Sequence, residues 1–156
     1  MSDEPEPADP QDDGHSRTVL VSNRQTMPVD EDGLAALASD TLAGEALEAV
    51  ELSLSFVDEA EIEELHLRFM DEPGPTHVLS FPLDADDMDE RGTRVLGDVV
   101  IAPAVAARNH PQDPARELRL LVVHGILHLL GYDHEEDDER AAMWARQERY
   151  SGVHVP

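Results

Sequence analysis

The stretch HGILHLLGYDH, residues 124–134, carries three of the eight histidines in this chain of 156 residues. His124 and His128 are four residues apart, so on a helix they would stack on one face, about 6 Å apart along its axis. Two imidazoles in that arrangement can reach one metal ion at ~2.0–2.1 Å. Most of their neighbours are apolar, so both rings would need polar partners inside a core. The spacing therefore predicts a metal site.

His134 is the third predicted ligand. Gly131 separates it from His128 and can end a helix, which would let the chain fold back toward the same ion. Three histidines leave the fourth tetrahedral position open, as in catalytic zinc sites. The chain has no cysteine, so its metal ligands must be nitrogen or oxygen; zinc fits best, and nickel, cobalt or copper also suit imidazoles. The alternative is three unrelated polar residues near a helix end.

The spacing of the histidines matches the metzincin proteases, H-E-x-x-H-x-x-G-x-x-H, except at one position. Gly125 stands where those proteases carry the glutamate that acts as general base. Amide hydrolysis needs that proton transfer, whereas a metal that lowers the pKa of its water to ~7 can support attack on a phosphodiester. The segment therefore favours a nuclease and leaves open a metallopeptidase whose base comes from elsewhere.

The elements that must position these residues follow from periodicity. Residues 114–130 are apolar on nearly all sides and follow the start signal Asp113-Pro114, which predicts a buried helix. Alternation at 50–56 and an apolar run at 95–101 predict strands, the second one central in its sheet. We expect an α+β fold: one four-stranded mixed sheet packed with helices, and a zincin-like buried helix that carries the metal ligands. The other predicted elements are strands at 18–22 and 77–81, and helices at 31–46, from Asp58 onward, at 103–108 and at 136–150.

Residues 1–16 hold six acidic residues and three prolines without Lys, Arg or an aromatic residue, a composition typical of a disordered tail. Residues 17–152 are predicted to form a single metallohydrolase domain. No apolar run is long enough to cross a bilayer, and the acidic N-terminus does not resemble a signal or transit peptide. We expect a cytoplasmic protein without a membrane partner.

The net charge is extreme, because 11 basic residues, all arginine, stand against 35 acidic residues and give −24. Such a surface repels phosphate at long range, which argues against a nucleic-acid partner. A coding bias toward arginine, or an acidic surface adapted to salt, would explain the composition equally well. Net charge averages over the whole surface, so the objection to an RNA substrate is modest.

Three blocks together give the chain a family resemblance. The histidine block with ERAAM after it, PTHVLSFP at 75–82 and LGDVVIAP at 96–103 resemble the YbeY family of bacterial rRNA maturation factors in order and spacing. The resemblance covers residues 18–150, and the histidine block is its most specific part.

The resemblance implies a zinc-dependent endoribonuclease that cuts single-stranded RNA. It implies work with the small ribosomal subunit, in 16S rRNA 3′-end maturation and in ribosome quality control. We expect no DNA partner. By motif match, His124, His128 and His134 would hold one Zn²⁺ per chain. A zinc-containing assembly factor without catalysis is the alternative that is not an enzyme.

Two positions depart from the family pattern. Met70 stands where the family usually has an arginine, and His77 follows the threonine where it usually has aspartate or asparagine. His77 could be an acid or base beside the metal, although a strand-end histidine is the commoner case. These departures suggest a divergent branch or a weaker nuclease, and the general base is left unassigned.

Other polar residues have two interpretations each. Asp98 interrupts an apolar strand, so we expect it to be buried, where it either orients a zinc ligand or marks a bulge after Gly97. Arg91 and Arg94 could contact phosphate, although local charge pairing is the commoner role. Glu117 could face the cleft, although a solvated acid in the first turn of a helix is commoner.

Overall fold

A computed structural model describes residues 17–70, 78–82, 92–132 and 136–153 of the chain. The predicted acidic tail lies outside these residues. The elements follow the predicted order, and their ends differ from the predicted ends by at most two residues. In chain order they are β1 (Arg17–Arg24), α1 (Glu31–Gly44), β2 (Val50–Val57), α2 (Glu59–Met70), β3 (Val78–Pro82), β4 (Arg94–Ile101), α3 (Pro103–Asn109), α4 (Pro114–Leu129) and α5 (Asp137–Ser151).

The four strands form one mixed sheet in the order β1-β2-β4-β3. β1, β2 and β4 run parallel, whereas β3 pairs antiparallel with β4. β4 therefore lies inside the sheet, as its continuous apolar run predicts. The α+β fold with one four-stranded mixed sheet is confirmed.

α4 lies between the sheet and α5, which explains why it is apolar on nearly all sides. On the sheet side, Leu121 and Ile126 join a core cluster with Val99 of β4. On the other side, Val123 packs with Met143 of α5. This burial on two sides confirms the predicted buried helix. Neither α4 nor any other helix in the described ranges is long and apolar enough to cross a membrane.

The ends of α4 are set by local chemistry. The side chain of Asp113 accepts a hydrogen bond of 3.1 Å from a backbone N–H in the first turn, and Pro114 occupies that turn, as predicted. At the other end the helix stops at Leu129, and Gly131 has a φ of +101°, which favours glycine. Both histidines of the i,i+4 pair therefore fall near the C-terminal end of the helix.

The opposite face of the sheet is only partly covered. α2 packs there through Ile62, which shares a cluster with Val100 of β4. A groove of about 480 Å³ remains beside α2, and Phe69 at the end of that helix is 57% exposed at its margin. α2 is thus buried against the sheet at its start and open to the groove at its end.

Asp98 is exposed in this groove, so the expectation that it is buried is wrong. Neighbouring residues of a strand point to opposite faces, and Val99 faces α4, so Asp98 points away from the histidines and cannot orient them. The pairing of β2 with β4 shifts register between Glu51 and Leu52, opposite Gly97 with its φ of +138°. The extra residue of this irregularity is Leu96, between Val95 and Gly97, whereas Asp98 pairs in register with Ser53. Asp98 therefore follows the bulge and is not part of it.

Glu117 is also placed differently from the expected solvated acid. It is 8% exposed, and its Oε2 lies 3.4 Å from Nε2 of His110 in the connection from α3. α3 packs against α4, and His110 at the C-terminal end of α3 contacts the carboxylate. Glu117 lies about 10 Å before His124 along the helix axis and takes no part in the histidine site.

Candidate metal centre

His124 and His128 lie one turn apart on α4, as their spacing predicts. Their ring centroids are 4.7 Å apart, with an angle of 76° between the ring planes. Both residues are half-buried, and the indole of Trp144 on α5 lies edge-on to His124 at 6.2 Å between centroids. The two imidazoles are neighbours in one partly enclosed site, close enough to serve a single metal ion.

Gln147 of α5 holds one of these rings. Its Oε1 lies 2.7 Å from Nδ1 of His124, and the residue is only 3% exposed. An amide oxygen accepts hydrogen bonds and does not donate them, so this contact is a hydrogen bond in the tautomer that carries the proton on Nδ1. The lone pair of the neutral ring is then on Nε2, the nitrogen that can bind a metal. We call this the His124–Gln147 contact.

Gly125, between the two histidines, lies directly against the sheet. A Cβ atom at this position would be 2.6 Å from Cγ1 of Val99 and 3.3 Å from Oγ of Ser80. Ser80 also donates a hydrogen bond of 3.0 Å to the carbonyl oxygen of Gly125. Because β4 leaves no room for a side chain, this packing excludes the metzincin glutamate at position 125.

The third predicted ligand, His134, lies outside the described residues, in the gap at 133–135. Across the described ranges, no group of three or more His, Cys, Asp or Glu is arranged to hold a metal ion. Tyr132 is the last described residue before that gap. The three-histidine site therefore stays a prediction, and the structure brings two of its members together.

A second polar cluster holds the end of α4, and we call it the Glu45 cluster (Glu45, Tyr132, Arg146 and Tyr150). Tyr132 Oη donates to Oε1 of Glu45 at 2.6 Å, and Tyr150 Oη donates to Oε2 at 2.5 Å. Nε of Arg146 lies 3.3 Å from the same Oε2. The carboxylate thus ties the end of α1 to α5 and to the segment that leads toward His134.

The Glu45 cluster keeps its protonation states near neutral pH. Burial raises the pKa of the Glu45 carboxyl, but the hydrogen bonds from both tyrosines and the charge of Arg146 outweigh burial, so the pKa lies below its ordinary value. Burial and then the hydrogen bond to Glu45 raise the pKa of Tyr150 to about 12. The pKa of Tyr132 is raised by the same two causes. Glu45 is therefore ionised, and both hydroxyls remain donors.

The structure describes only some of the other predicted site residues. Arg94 lines a cavity of about 330 Å³ together with Tyr132. Arg91 and His77 lie outside the described residues, and nothing is described of the Met70 side chain. A phosphate contact by Arg94, and any role of the other three, remain predictions.

The sequence patterns missed Gln147 and Glu45. Gln147 carries a usable signal, because it lies four residues from Met143 and four from Ser151 and so puts an amide on the buried face of α5. Glu45 follows α1 without any local pattern, yet both tyrosines of the chain donate to it. Such contacts depend on how distant elements pack, which residue spacing does not reveal.

Known proteins match the chain over most of its length. The family model described as Endoribonuclease YbeY matches residues 20–152. The Endoribonuclease YbeY of Streptomyces coelicolor is 44% identical over 141 residues, which cover 83% of this chain and 86% of that protein. The Endoribonuclease YbeY of Acidothermus cellulolyticus is 47% identical over 142 residues, which cover 83% and 87%.

A solved structure has the same fold. The solution structure of a protein from Thermotoga maritima matches with a TM-score of 0.61 at 29% sequence identity. The match covers 86% of this chain and 87% of that chain. The resemblance carried by the three sequence blocks is confirmed.

Proposed function

Because the chain belongs to the endoribonuclease YbeY family, whose members are hydrolases of RNA phosphodiester bonds, we propose that it is a zinc-dependent endoribonuclease of single-stranded RNA. We propose that it matures the 3′ end of 16S rRNA and serves in ribosome quality control, with the small ribosomal subunit as its partner in the cytoplasm. The observation that carries the proposal is the pair of His124 and His128 on a buried helix, with Oε1 of Gln147 2.7 Å from Nδ1 of His124.

The described residues fit a zinc ion. Neutral imidazole nitrogens are preferred zinc donors, and two of them lie on adjacent turns of α4. Gln147 supplies the outer hydrogen bond that ligating histidines usually make through their second ring nitrogen. In the proposal His124, His128 and, by motif match, His134 hold one Zn²⁺ per chain.

The residues of the chain prepare this site in three ways. Oε1 of Gln147 can accept a hydrogen bond from Nδ1 of His124, and the indole of Trp144 beside His124 limits access of water, which strengthens electrostatic interactions. Gly125 faces the sheet, so no carboxylate at that position adds negative charge beside a substrate phosphate. A zinc ion bound there would supply a Lewis acid that neutralises charge developing on a phosphoryl oxygen.

The net charge of −24 opposes RNA at long range, so local positive charge must guide the substrate. Arg94 lies at the cavity beside Tyr132, near the end of the helix that carries the histidines. In the proposal its guanidinium contacts an RNA phosphate, which positions the strand without reading its sequence.

Metal content tests the core of the proposal. Elemental analysis of purified wild-type protein should find about one zinc per chain, as expected for a catalytic site with three protein ligands. His134→Ala should lose that zinc, because two histidines hold the ion weakly. Wild-type protein without any bound metal, even after zinc is supplied during expression, would overturn the proposal.

Substrate choice separates the nuclease from its rivals. Single-stranded RNA and an unfolded protein are each incubated with the enzyme, with and without a chelator. Cleavage of RNA that the chelator abolishes, with the protein substrate intact, supports the proposal. Proteolysis sensitive to chelator with intact RNA would establish a metallopeptidase. A folded, metal-free His134→Ala that still supports ribosome maturation would establish a non-catalytic assembly factor.

A further inference from the structure

Gln147 is a buried polar residue whose side chain meets a predicted metal ligand. It is 3% exposed on the face of α5 that packs against α4, with Met143 one turn before it and Ser151 one turn after it. Its Oε1 lies 2.7 Å from Nδ1 of His124, at the short end of the range for N–H···O hydrogen bonds. A buried amide oxygen needs a donor, and His124 provides one.

We infer that Gln147 is a positioning residue for the metal centre: by accepting a hydrogen bond from Nδ1–H of His124, it leaves the Nε2 lone pair free for the metal. The inference deepens the proposed zinc site and rests on it. If the amide were turned around, its nitrogen would donate to Nδ1 and the ring proton would sit on Nε2. His124 would then have no Nε2 lone pair for the ion, so the tautomer decides whether the ring can be this ligand.

The surroundings hold both partners of the contact in place. Ser151 Oγ donates to the carbonyl oxygen of Gln147 at 2.5 Å and accepts a hydrogen bond of 3.0 Å from the backbone N–H of Val153. On the ring side, the indole of Trp144 lies edge-on to His124 at 6.2 Å. A ligand that is oriented before the metal arrives loses less conformational freedom on binding, which raises affinity.

Three variants separate the hydrogen bond from the packing of α5. Gln147→Met keeps the side-chain volume and removes the acceptor, whereas Gln147→Glu keeps an acceptor for Nδ1. Thr41→Val is the matched control, because it replaces a buried hydrogen-bonding side chain of α1 by an apolar one of the same size without touching Gln147 or His124. Outer-shell partners of metal-binding histidines contribute ~10–100-fold to metal affinity. We expect Gln147→Met to weaken Zn²⁺ binding by that factor, Gln147→Glu to restore it, and Thr41→Val to leave it unchanged.

Two measurements report on the contact. Competition with a chelator gives the Zn²⁺ affinity, and the fluorescence of Trp144, the one tryptophan of the chain, follows Co²⁺ binding beside His124. ¹⁵N NMR of the metal-free wild-type protein gives the tautomer of His124 without any substitution. We expect the Nδ1–H form in wild type and a mixture of tautomers in Gln147→Met, with circular dichroism to show that each variant is folded.

The outcomes distinguish the inference from the proposed function. An Nε2–H tautomer in the metal-free wild type overturns the inference, even where Gln147→Met does not fold. A folded Gln147→Met with wild-type zinc affinity overturns it as well. A wild type with the Nδ1–H tautomer but no affinity for Zn²⁺ overturns the proposed zinc function, and the metal role of Gln147 with it, while the NMR result establishes the hydrogen bond itself.

Discussion

The His124–Gln147 contact and the Glu45 cluster both hold the C-terminal half of α4 to α5, but with opposite electrostatics. The first is neutral: the amide of Gln147, which is 3% exposed, meets Nδ1 of His124 at 2.7 Å. The second is an ionised carboxylate, 11% exposed, that receives two hydroxyl donors and a guanidinium. A buried charge is costly unless it is paired and hydrogen-bonded, whereas a buried amide needs only hydrogen bonds. The fold thus orients the predicted ligand with a neutral acceptor and anchors the helix end with a charged one.

Removal of a predicted metal ligand should have the largest effect on the site that contains the His124–Gln147 contact. We expect His124→Ala and His128→Ala each to lose bound metal and RNA cleavage together, because two remaining ligands do not hold a catalytic ion. Elemental analysis and cleavage of single-stranded RNA measure the two losses. His110→Ala, which removes an exposed histidine before α4, is the control and should keep both. A metal-free His124→Ala that cleaves RNA at the wild-type rate would contradict the proposed chemistry.

Removal of the carboxylate should break the Glu45 cluster. Glu45→Ala leaves Tyr132, Tyr150 and Arg146 without their shared acceptor, so the free energy of unfolding should fall by about 2–3 kcal/mol in urea denaturation. Glu64→Ala is the matched control, because the Glu64–Arg68 pair is more than half exposed and such pairs contribute less than ~1 kcal/mol. Equal losses in the two variants would show that the cluster is no more than a surface ion pair.

The contact of Gly125 with the sheet, next to His124, should be sensitive to a single added methyl group. Gly125→Ala places Cβ against Val99, so we expect the free energy of unfolding to fall by about 1–3 kcal/mol. An exposed Gly→Ala change within a helix would instead stabilise by up to ~1 kcal/mol. In the double variant Gly125→Ala with Val99→Ala, the smaller side chain at position 99 makes room for the methyl group. Its free energy of unfolding should therefore fall by less than the sum of the losses in the two single variants. Strict additivity of the two losses would mean that the two side chains do not collide.

The smallest expected effect is a pH dependence that separates the charged cluster from the neutral contact. The folded-state pKa of Glu45 lies below the unfolded value of ~4.3, so the ionised carboxylate stabilises the folded state. That stabilisation is fully present above ~4.3 and is lost as the pH falls through the folded-state pKa. Urea denaturation from neutral to acid pH should therefore bring wild type closer to Glu45→Gln. A constant difference between them across this window would contradict the lowered pKa.

Local rules made much of the site predictable. The four-residue spacing of His124 and His128, the capping Asp113 and the helix-ending Gly131 each depend on residues within a turn or two, and tertiary packing agrees with all of them. The apolar run of β4 gave its interior place in the sheet for a similar reason. Agreement between local preference and overall fold is what makes such elements predictable.

The two wrong predictions concern the solvent exposure of a polar side chain. Asp98 interrupts an apolar run and is nevertheless exposed, because α2 covers only part of that face of the sheet. Glu117 carries the pattern of a solvated acid and is nevertheless buried, with its carboxylate beside His110 at the end of α3. The solvent exposure of a residue is set by elements that are distant in sequence. Composition and periodicity therefore predict only the exposure that is typical of a residue type in such a pattern.

By itself, the sequence determined the family, the order of elements and the pair of histidines on one helical face, because helical periodicity and chain order are local properties. Only the tertiary structure decided why residue 125 is glycine, since the reason is the Val99 side chain across a helix–sheet contact. It also decided the partners Gln147 and Glu45, whose hydrogen bonds join residues 23 positions apart or more. The free energy of such contacts depends on how α4, α5 and the sheet pack together, and no short stretch of sequence contains that information.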